Sequence, residues 1–347
     1  MINCRCRTRV YSDIYGISTS VGRGNLSFTS INLPRLAIQV AIEDCYLVKD
    51  GDTYVFNSDR EYNCRERVDK FISKLKDYAD LVAQQLDERY KFQAQALAMQ
   101  FPLLMHGMWM DSEKLKPKDT IESVMKHGTL GIGFIGLAEA LVALTGKHHG
   151  ESVESQTFGL QIVGTLNEKA KEWTTRLKHN YSVIGTPAEG LSGRFTIKDA
   201  KDFGKIKGIT DKEYYTNSNH VPVWFHCTPT RKAAIEGPYH KMTTGGHIFY
   251  VEADSDTTKN PEALESVVRI AISQDCGYIS INHTQARCSS CNFEDNGDMD
   301  LKEGDVCPHC GSPAMNILQR VTGYLTGTLD QWTFGKLAEF RDRVNHM

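Results

Sequence analysis

Four cysteines near the C-terminus carry the clearest chemistry in this chain. Cys288, Cys291, Cys307 and Cys310 follow the spacing Cys-x2-Cys, fifteen residues, Cys-x2-Cys. Each pair closes a tight turn with two thiolates on one side, and two such turns complete a tetrahedron around a metal ion. Four soft sulfur donors select zinc and leave no open position, so the spacing predicts a structural Zn2+ site. His309 lies inside the second turn and could replace one cysteine, but four thiolates suffice. Two other patterns carry less. Gly131, Gly133 and Gly136 spell G-x-G-x-x-G, but a dinucleotide fingerprint needs a strand just before it, and MKHGT is a poor strand. These glycines are expected to allow close packing at a helix start. His148, His149 and Glu151 are metal-ligand types, for which a solvated loop is the expected setting.

These residues need elements to hold them. Residues 1–24 read as an irregular, basic opening, and 26–33 as a strand stopped by Pro34. Apolar residues at spacings of three and four (Val68, Phe71, Ile72, Leu75, Tyr78, Leu81, Val82) predict a helix from Arg65 to about Met99. Further helices are expected over 137–144, 161–177 and 261–272, with a closing amphipathic helix carrying Leu337, Phe340 and Val344. Residues 182–195 read as a strand running into a glycine-rich loop, and 247–254 and 278–283 as strands. Arg320 to Leu329 reads as a glycine-rich β or loop segment. Strands alternating with helices indicate the α/β class.

The chain has 347 residues and a formal net charge of -3, which gives no support for a nucleic-acid grip over the whole surface. The loop between the cysteine pairs is acidic and would repel a phosphate backbone. The opening residues lack the apolar core of a secretory signal. The most apolar stretch, Thr129 to Gly146, carries Glu139 and reads as a buried helix rather than a membrane span. Ten cysteines without an export signal suggest thiols and metal ligands rather than disulfides, in a cytoplasmic protein.

Several segments together resemble the anaerobic (class III) ribonucleotide reductases, which are glycyl-radical enzymes. They are CRTRV (6–10), GRGNLSFTSINLPRL (22–36), GTLGIGFIGLAEAL (128–141), TPAEGLSGRF (186–195), YYTNSNHVPV (214–223), GGHIFYVE (245–252), the four-cysteine segment and RVTGYL (320–325). They occur in the family's order over essentially the whole chain. The family's chains are much longer, so the resemblance implies the C-terminal half of the enzyme, from a split gene or a truncated product. The implied fold is the C-terminal half of a ten-stranded α/β barrel over 1–285, starting at the tip loop that bears the radical cysteine. A zinc-binding and glycyl-radical domain would cover 286–347.

The implied chemistry replaces a ribose 2′-OH with hydrogen, making a deoxyribonucleoside triphosphate for DNA synthesis. Removing the 3′ hydrogen as an atom makes the 2′ carbon–oxygen bond easy to break. A cysteine thiyl radical can do this, because S–H and sugar C–H bonds have similar strengths. The resemblance assigns that role to Cys6, with Cys4 as a rival because Arg5 replaces the family's usual glycine. It assigns storage of the radical to Gly323, with Gly327 nearby but outside the motif. Asn25 is expected to hydrogen-bond the ribose or the reductant, Glu189 to orient a sugar hydroxyl, and Ser192 and Arg194 to cradle phosphates. The implied partners are a radical-SAM activating enzyme, the N-terminal half, a ribonucleoside triphosphate (with ATP binding), and a second copy in a homodimer. Neither nucleic acid nor membrane is among them. Formate or a redoxin would supply electrons. Two other readings remain at this point: another glycyl-radical enzyme, or a non-catalytic zinc ribbon.

Overall fold

The structure is a computed structural model that describes residues 13–346, except 20, 254–256, 297–298, 300, 302–303, 322–323, 326–328 and 330–331. The first element among the described residues is β1 (Asn25–Asn32), followed by α1 (Leu33–Glu43), whose first turn holds Pro34 and whose N-cap Asn32 accepts from the Arg35 backbone N–H. β2 (Leu47–Asp50) and β3 (Thr53–Phe56) form an antiparallel hairpin around Gly51. α2 (Cys64–Ala94) and the short α3 (Glu122–Met125) precede β4 (Thr129–Ile135), α4 (Leu137–Thr145) and α5 (Val153–Leu177). Then come β5 (Asn180–Gly185), α6 (Gly190–Phe203), α7 (Pro229–His240), β6 (Phe249–Glu252), α8 (Pro261–Ser273) and β7 (Ile279–Asn282). The C-terminal part holds β8 (Gln285–Cys288), β9 (Glu294–Asp295), β10 (Met315–Leu318), β11 (Arg320–Val321), β12 (Tyr324–Leu325) and α9 (Phe334–Asp342).

The α/β expectation holds. β1, β4 and β5 form a parallel sheet with β4 central. A parallel bridge between Ile184 and Gly246 continues it toward β6, which pairs in parallel with β7. Five parallel strands therefore follow one another in chain order, with helices as crossovers, as parallel pairing requires. One face of β1, β4 and β5 contributes Ile31, Leu130, Ile132, Phe134 and Val183 to the main core, where they meet Leu36, Val40, Leu75, Leu141 and Ile162 of the helices. Burial of that apolar face is the main stabilising term.

Several expectations change. Thr129 to Gly146 is not one buried helix but a strand and a helix, separated at Gly136 in the left-handed region (φ 77°). Gly131 and Gly133 lie within β4, so only Gly136 serves a helix start. The expected glycine-rich loop turns helical at Gly190, and the helix expected from 161 begins at Val153, where the Ser152 side chain caps it. α2 stops at Ala94, and Tyr78 and Leu81, counted on its apolar stripe, are exposed. α9 inverts its expected polarity: Lys336 and Glu339 are buried while Leu337 and Phe340 are only half-buried. Among the described residues no helix is long and apolar enough to cross a membrane.

Candidate active site and metal centre

The sheet face away from the core has a different composition. Phe28 and Ser30 of β1, Gly131 and Gly133 of β4, and Ser182 and Ile184 of β5 lie alongside one another in register. The glycines let neighbouring strands close over β4. A Cβ on Gly133 would lie 2.4 Å from Thr186 Oγ1 and 2.8 Å from Ser30 Oγ. Those two hydroxyls hydrogen-bond at 2.8 Å across it. At the other end of β1, Asn25 Nδ2 donates to the Gly245 carbonyl at 3.2 Å. Three strand spacings of about 4.8 Å separate these segments in a flat sheet. The bond therefore requires a strongly curled sheet, whose concave side carries Ser30, Ser182 and Asn25 beside Phe28, Ile184 and two glycines.

The expected substrate residues are distributed over this frame. Asn25 is buried at the N-terminal end of β1, and its Oδ1 has no hydrogen-bond partner among the described residues. Glu189 stands at the N-cap position of α6 without a side-chain capping bond, beyond the C-terminal end of β5 and on the order of 20 Å along the sheet from Asn25. Burial raises the Glu189 carboxyl above its usual range, opposed by Lys336. Ser192 is fully buried and donates to the Glu189 carbonyl at 3.3 Å. Arg194 is exposed, so the structure does not bring it together with Ser192. The start of α9 covers this region: the Phe334 ring lies 3.1 Å, and the Gly335 Cα 3.3 Å, from where a Gly193 Cβ would stand. Cys4, Cys6, Gly323 and Gly327 lie outside the described residues.

A buried ionic cluster, not foreseen from the sequence, ties the C-terminus to the concave side. Glu339 pairs with Lys336 and with Arg343 (2.8 Å), and Arg343 also pairs with Glu252 at the end of β6. Burial opposes the Arg343 charge, but Glu252 and Glu339 outweigh it and hold its guanidinium above the usual range. Burial lowers Lys336, with Glu339 countering. Gln319 donates to Glu252 at 3.3 Å, and Arg320 donates to Ser280 Oγ at 2.9 Å and Tyr278 Oη at 3.2 Å. Charged residues spaced three and four apart on α9 were the only sequence signal, and such spacing usually marks a solvated face.

The four cysteines converge as their spacing predicts. β8 pairs with β10, placing Cys288 opposite Met315, and β9 extends the ladder. Asn292 (φ 60°) and Gly311 (φ 74°) take left-handed conformations that close the two turns. The four Sγ atoms lie within 4.8 Å of one another. Cys288–Cys310 and Cys291–Cys307 are each 3.7 Å apart, too long for a disulfide. A zinc tetrahedron with bonds of about 2.3 Å sets sulfurs about 3.8 Å apart. The donor set thus fits a metal such as zinc, and all four sulfurs would hold it. His309 instead stacks near Phe293, with centroids 6.2 Å apart.

His148 and His149 are not on a solvated loop: they are 1% and 2% exposed. His149 Nε2 meets the Asn219 carbonyl at 3.0 Å, and His148 Nδ1 accepts from the Gly150 N–H. Burial lowers His149 to about 3 and His148 to about 4, so both are neutral at pH 7. Among the described residues, the four cysteines are the one group of three or more candidate ligands that converges.

A family model described as "Anaerobic ribonucleoside-triphosphate reductase" matches residues 2–346. Curated proteins of that name from Enterobacteria phage T4 and Escherichia coli strain K12 are 32% and 30% identical to the chain, over 99% and 100% of its length. The chain spans about half of those relatives, 52% and 46%. A crystal structure of the anaerobic ribonucleotide reductase from Thermotoga maritima, with MES in its active site, superposes on 91% of this chain and 46% of its own. Its TM-score is 0.61 at 18% sequence identity, a likeness of fold. With a family match along nearly its entire length and a fold to suit, the chain belongs to the anaerobic ribonucleoside-triphosphate reductase family.

Proposed function

We propose that this chain is the radical-bearing half of an anaerobic ribonucleoside-triphosphate reductase, working with an N-terminal half in the cytoplasm. The observation that carries this reading is the curled run of five parallel strands, against whose concave side Gln319 and Arg320 are docked. Five parallel strands suit half of a ten-stranded barrel, formed by residues 1–285. Residues 286–347 then form the zinc-binding and radical domain, and Gly323 follows Arg320 by three residues.

In this reading Gly323 stores the radical, installed by a separate radical-SAM activase, and Cys6 takes it up as a thiyl. The thiyl abstracts the 3′ hydrogen, the 2′-OH leaves as water, and formate or a redoxin supplies the two electrons. Asn25 offers the free Oδ1 to a ribose hydroxyl or the reductant. Glu189, on the order of 20 Å from Asn25, is too far to orient a hydroxyl of the same ribose and belongs with buried Ser192 at the phosphate end of the site, from which exposed Arg194 stands apart. Cys288, Cys291, Cys307 and Cys310 would hold a zinc ion, which would supply structural cross-linking.

The test is electron paramagnetic resonance on chain mixed anaerobically with activase, S-adenosylmethionine and a reductant. A glycyl doublet absent from Gly323→Ala is expected, followed by ribonucleoside-triphosphate turnover once the N-terminal half is added. Zinc-replete chain that never yields a doublet would sink the proposal and leave a zinc-ribbon protein.

A further inference from the structure

A cleft between α4 and residues 207–224 takes no part in the site described above. Its volume is about 630 Å³, the size of a small-molecule site. Its walls are largely apolar: Val142 from α4, Phe56 from the β2–β3 hairpin, and Ile209 and Trp224 from the segment that follows α6. Two polar side chains, His148 and Glu139, are set into these walls, and each keeps one buried atom unused. The His148 ring stands edge-on to Trp224 and Phe225, with centroids 5.7 Å and 4.8 Å away and planes at 89° to both. That packing fixes its direction. Its Nδ1 accepts from the Gly150 N–H at 3.0 Å, so the neutral ring carries its proton on Nε2. This Nε2–H has no hydrogen-bond partner among the described residues. The Glu151 carboxylate is 3.5 Å away, beyond the usual range. Glu139 Oε1 takes both donors of Thr216, which leaves its Oε2 buried and unbonded. The two groups stand at opposite ends of α4, so they cannot satisfy each other.

A buried polar atom without a partner is costly, and in native proteins it marks a place that water or a ligand fills. A metal ion is a poor occupant, because the lone pair it needs on His148 is already spent on Gly150. One water would satisfy the donor but leave the apolar walls wet. A flat ring with a lone pair in its own plane covers the walls and meets the donor together. We propose that this cleft binds a neutral, bicyclic nitrogen heterocycle, whose ring nitrogen accepts from His148 Nε2–H while its faces lie between Val142, Ile209 and Trp224. The inference does not rest on the reductase reading, since no residue on the concave side takes part in it.

The test titrates the full zinc-loaded chain with benzimidazole and with indole at neutral pH, followed by calorimetry. The two probes share size, shape and one N–H, and only benzimidazole adds an in-plane acceptor nitrogen. Benzimidazole should bind saturably at one site per chain, roughly tenfold tighter than indole. In His148→Phe, which keeps an edge-on ring, that preference should shrink to within about twofold. Val142→Trp, which fills the cleft and spares His148, should abolish binding of both probes. In the parent, the His148 Nε2 resonance should move with benzimidazole and stay with indole, a readout that needs no variant to fold. No saturable binding at millimolar benzimidazole would overturn the inference and leave water alone in the cleft. Equal affinity for the two probes, or a preference unchanged in His148→Phe, would overturn it as well.

Discussion

Glu139 shows how a single side chain links sequence to pH behaviour. It sits in the first turn of α4, and its Oε1 accepts from the N–H of Thr216 at 2.8 Å and its hydroxyl at 2.6 Å. Burial raises its carboxyl to about 7, although the Thr216 bonds favour the charged form. Its folded value exceeds its ordinary 4.5, so the folded state holds a proton that the unfolded state releases between these two values. Its contribution is therefore fully present below pH 4.5 and is lost as pH rises toward 7. Urea denaturation of Glu139→Gln at pH 5 and pH 7.5 isolates this effect. Relative to the parent, the variant should gain on the order of 3 kcal/mol between the two pH values. An unchanged difference between parent and variant would show that Glu139 ionises normally.

At the scale of elements, the ribbon and the curled sheet draw stability from different sources. The ribbon's apolar cluster is small, built on Ala286, Met315 and Ile317 around Cys288 and Cys307. So few side chains cannot offset the ordering of two long turns, which is why such modules depend on a metal. Cys288→Ser, or prolonged treatment with a strong chelator, should release one zinc per chain and unfold residues 285–318. Hydrogen exchange should then show those amides losing protection while β4 and β5 keep theirs. Retained protection in zinc-free protein would contradict this account. The sheet depends instead on what is absent. Gly131 and Gly133 have no side chains, so β1 and β5 approach across β4 and the concave side stays open.

At the scale of the whole molecule, the C-terminal return decides how the ribbon, sheet and α9 fit together. Arg343 joins Glu252 of the sheet to Glu339 of the last helix, and the backbone beyond it continues the contact through His346 N to the Glu252 carbonyl at 2.8 Å. Removing one partner of a buried ion pair leaves the others uncompensated. Arg343→Ala should therefore destabilise the chain by about 3–5 kcal/mol. Limited proteolysis should reveal new cleavage after residue 318, with the zinc ribbon intact. If Arg343→Ala melts like the parent and resists protease, the cluster is not what fastens the C-terminus.

The sequence alone determined the features that depend on local spacing or short-range periodicity. The four cysteines were legible because the ligand spacing of a zinc turn is a local property, and their convergence needed no knowledge of the rest of the fold. α8 and the strands near β1 and β7 were legible from periodicity. The β2–β3 hairpin carries its own signal in the two-residue loop Gly51-Asp52 between apolar runs. Tertiary structure decided what periodicity cannot encode. Thr129 to Gly146 is apolar almost throughout, so no period separates strand from helix, and pairing on both edges of β4 made the choice. His148 and His149 look solvated in sequence, yet contacts some 70 residues away bury them. Lys336, Glu339 and Arg343 read as a solvated helical face until Glu252, 91 residues from Arg343, supplies a buried partner. A charge's solvation depends on what lies opposite it, and that is set only when distant segments meet.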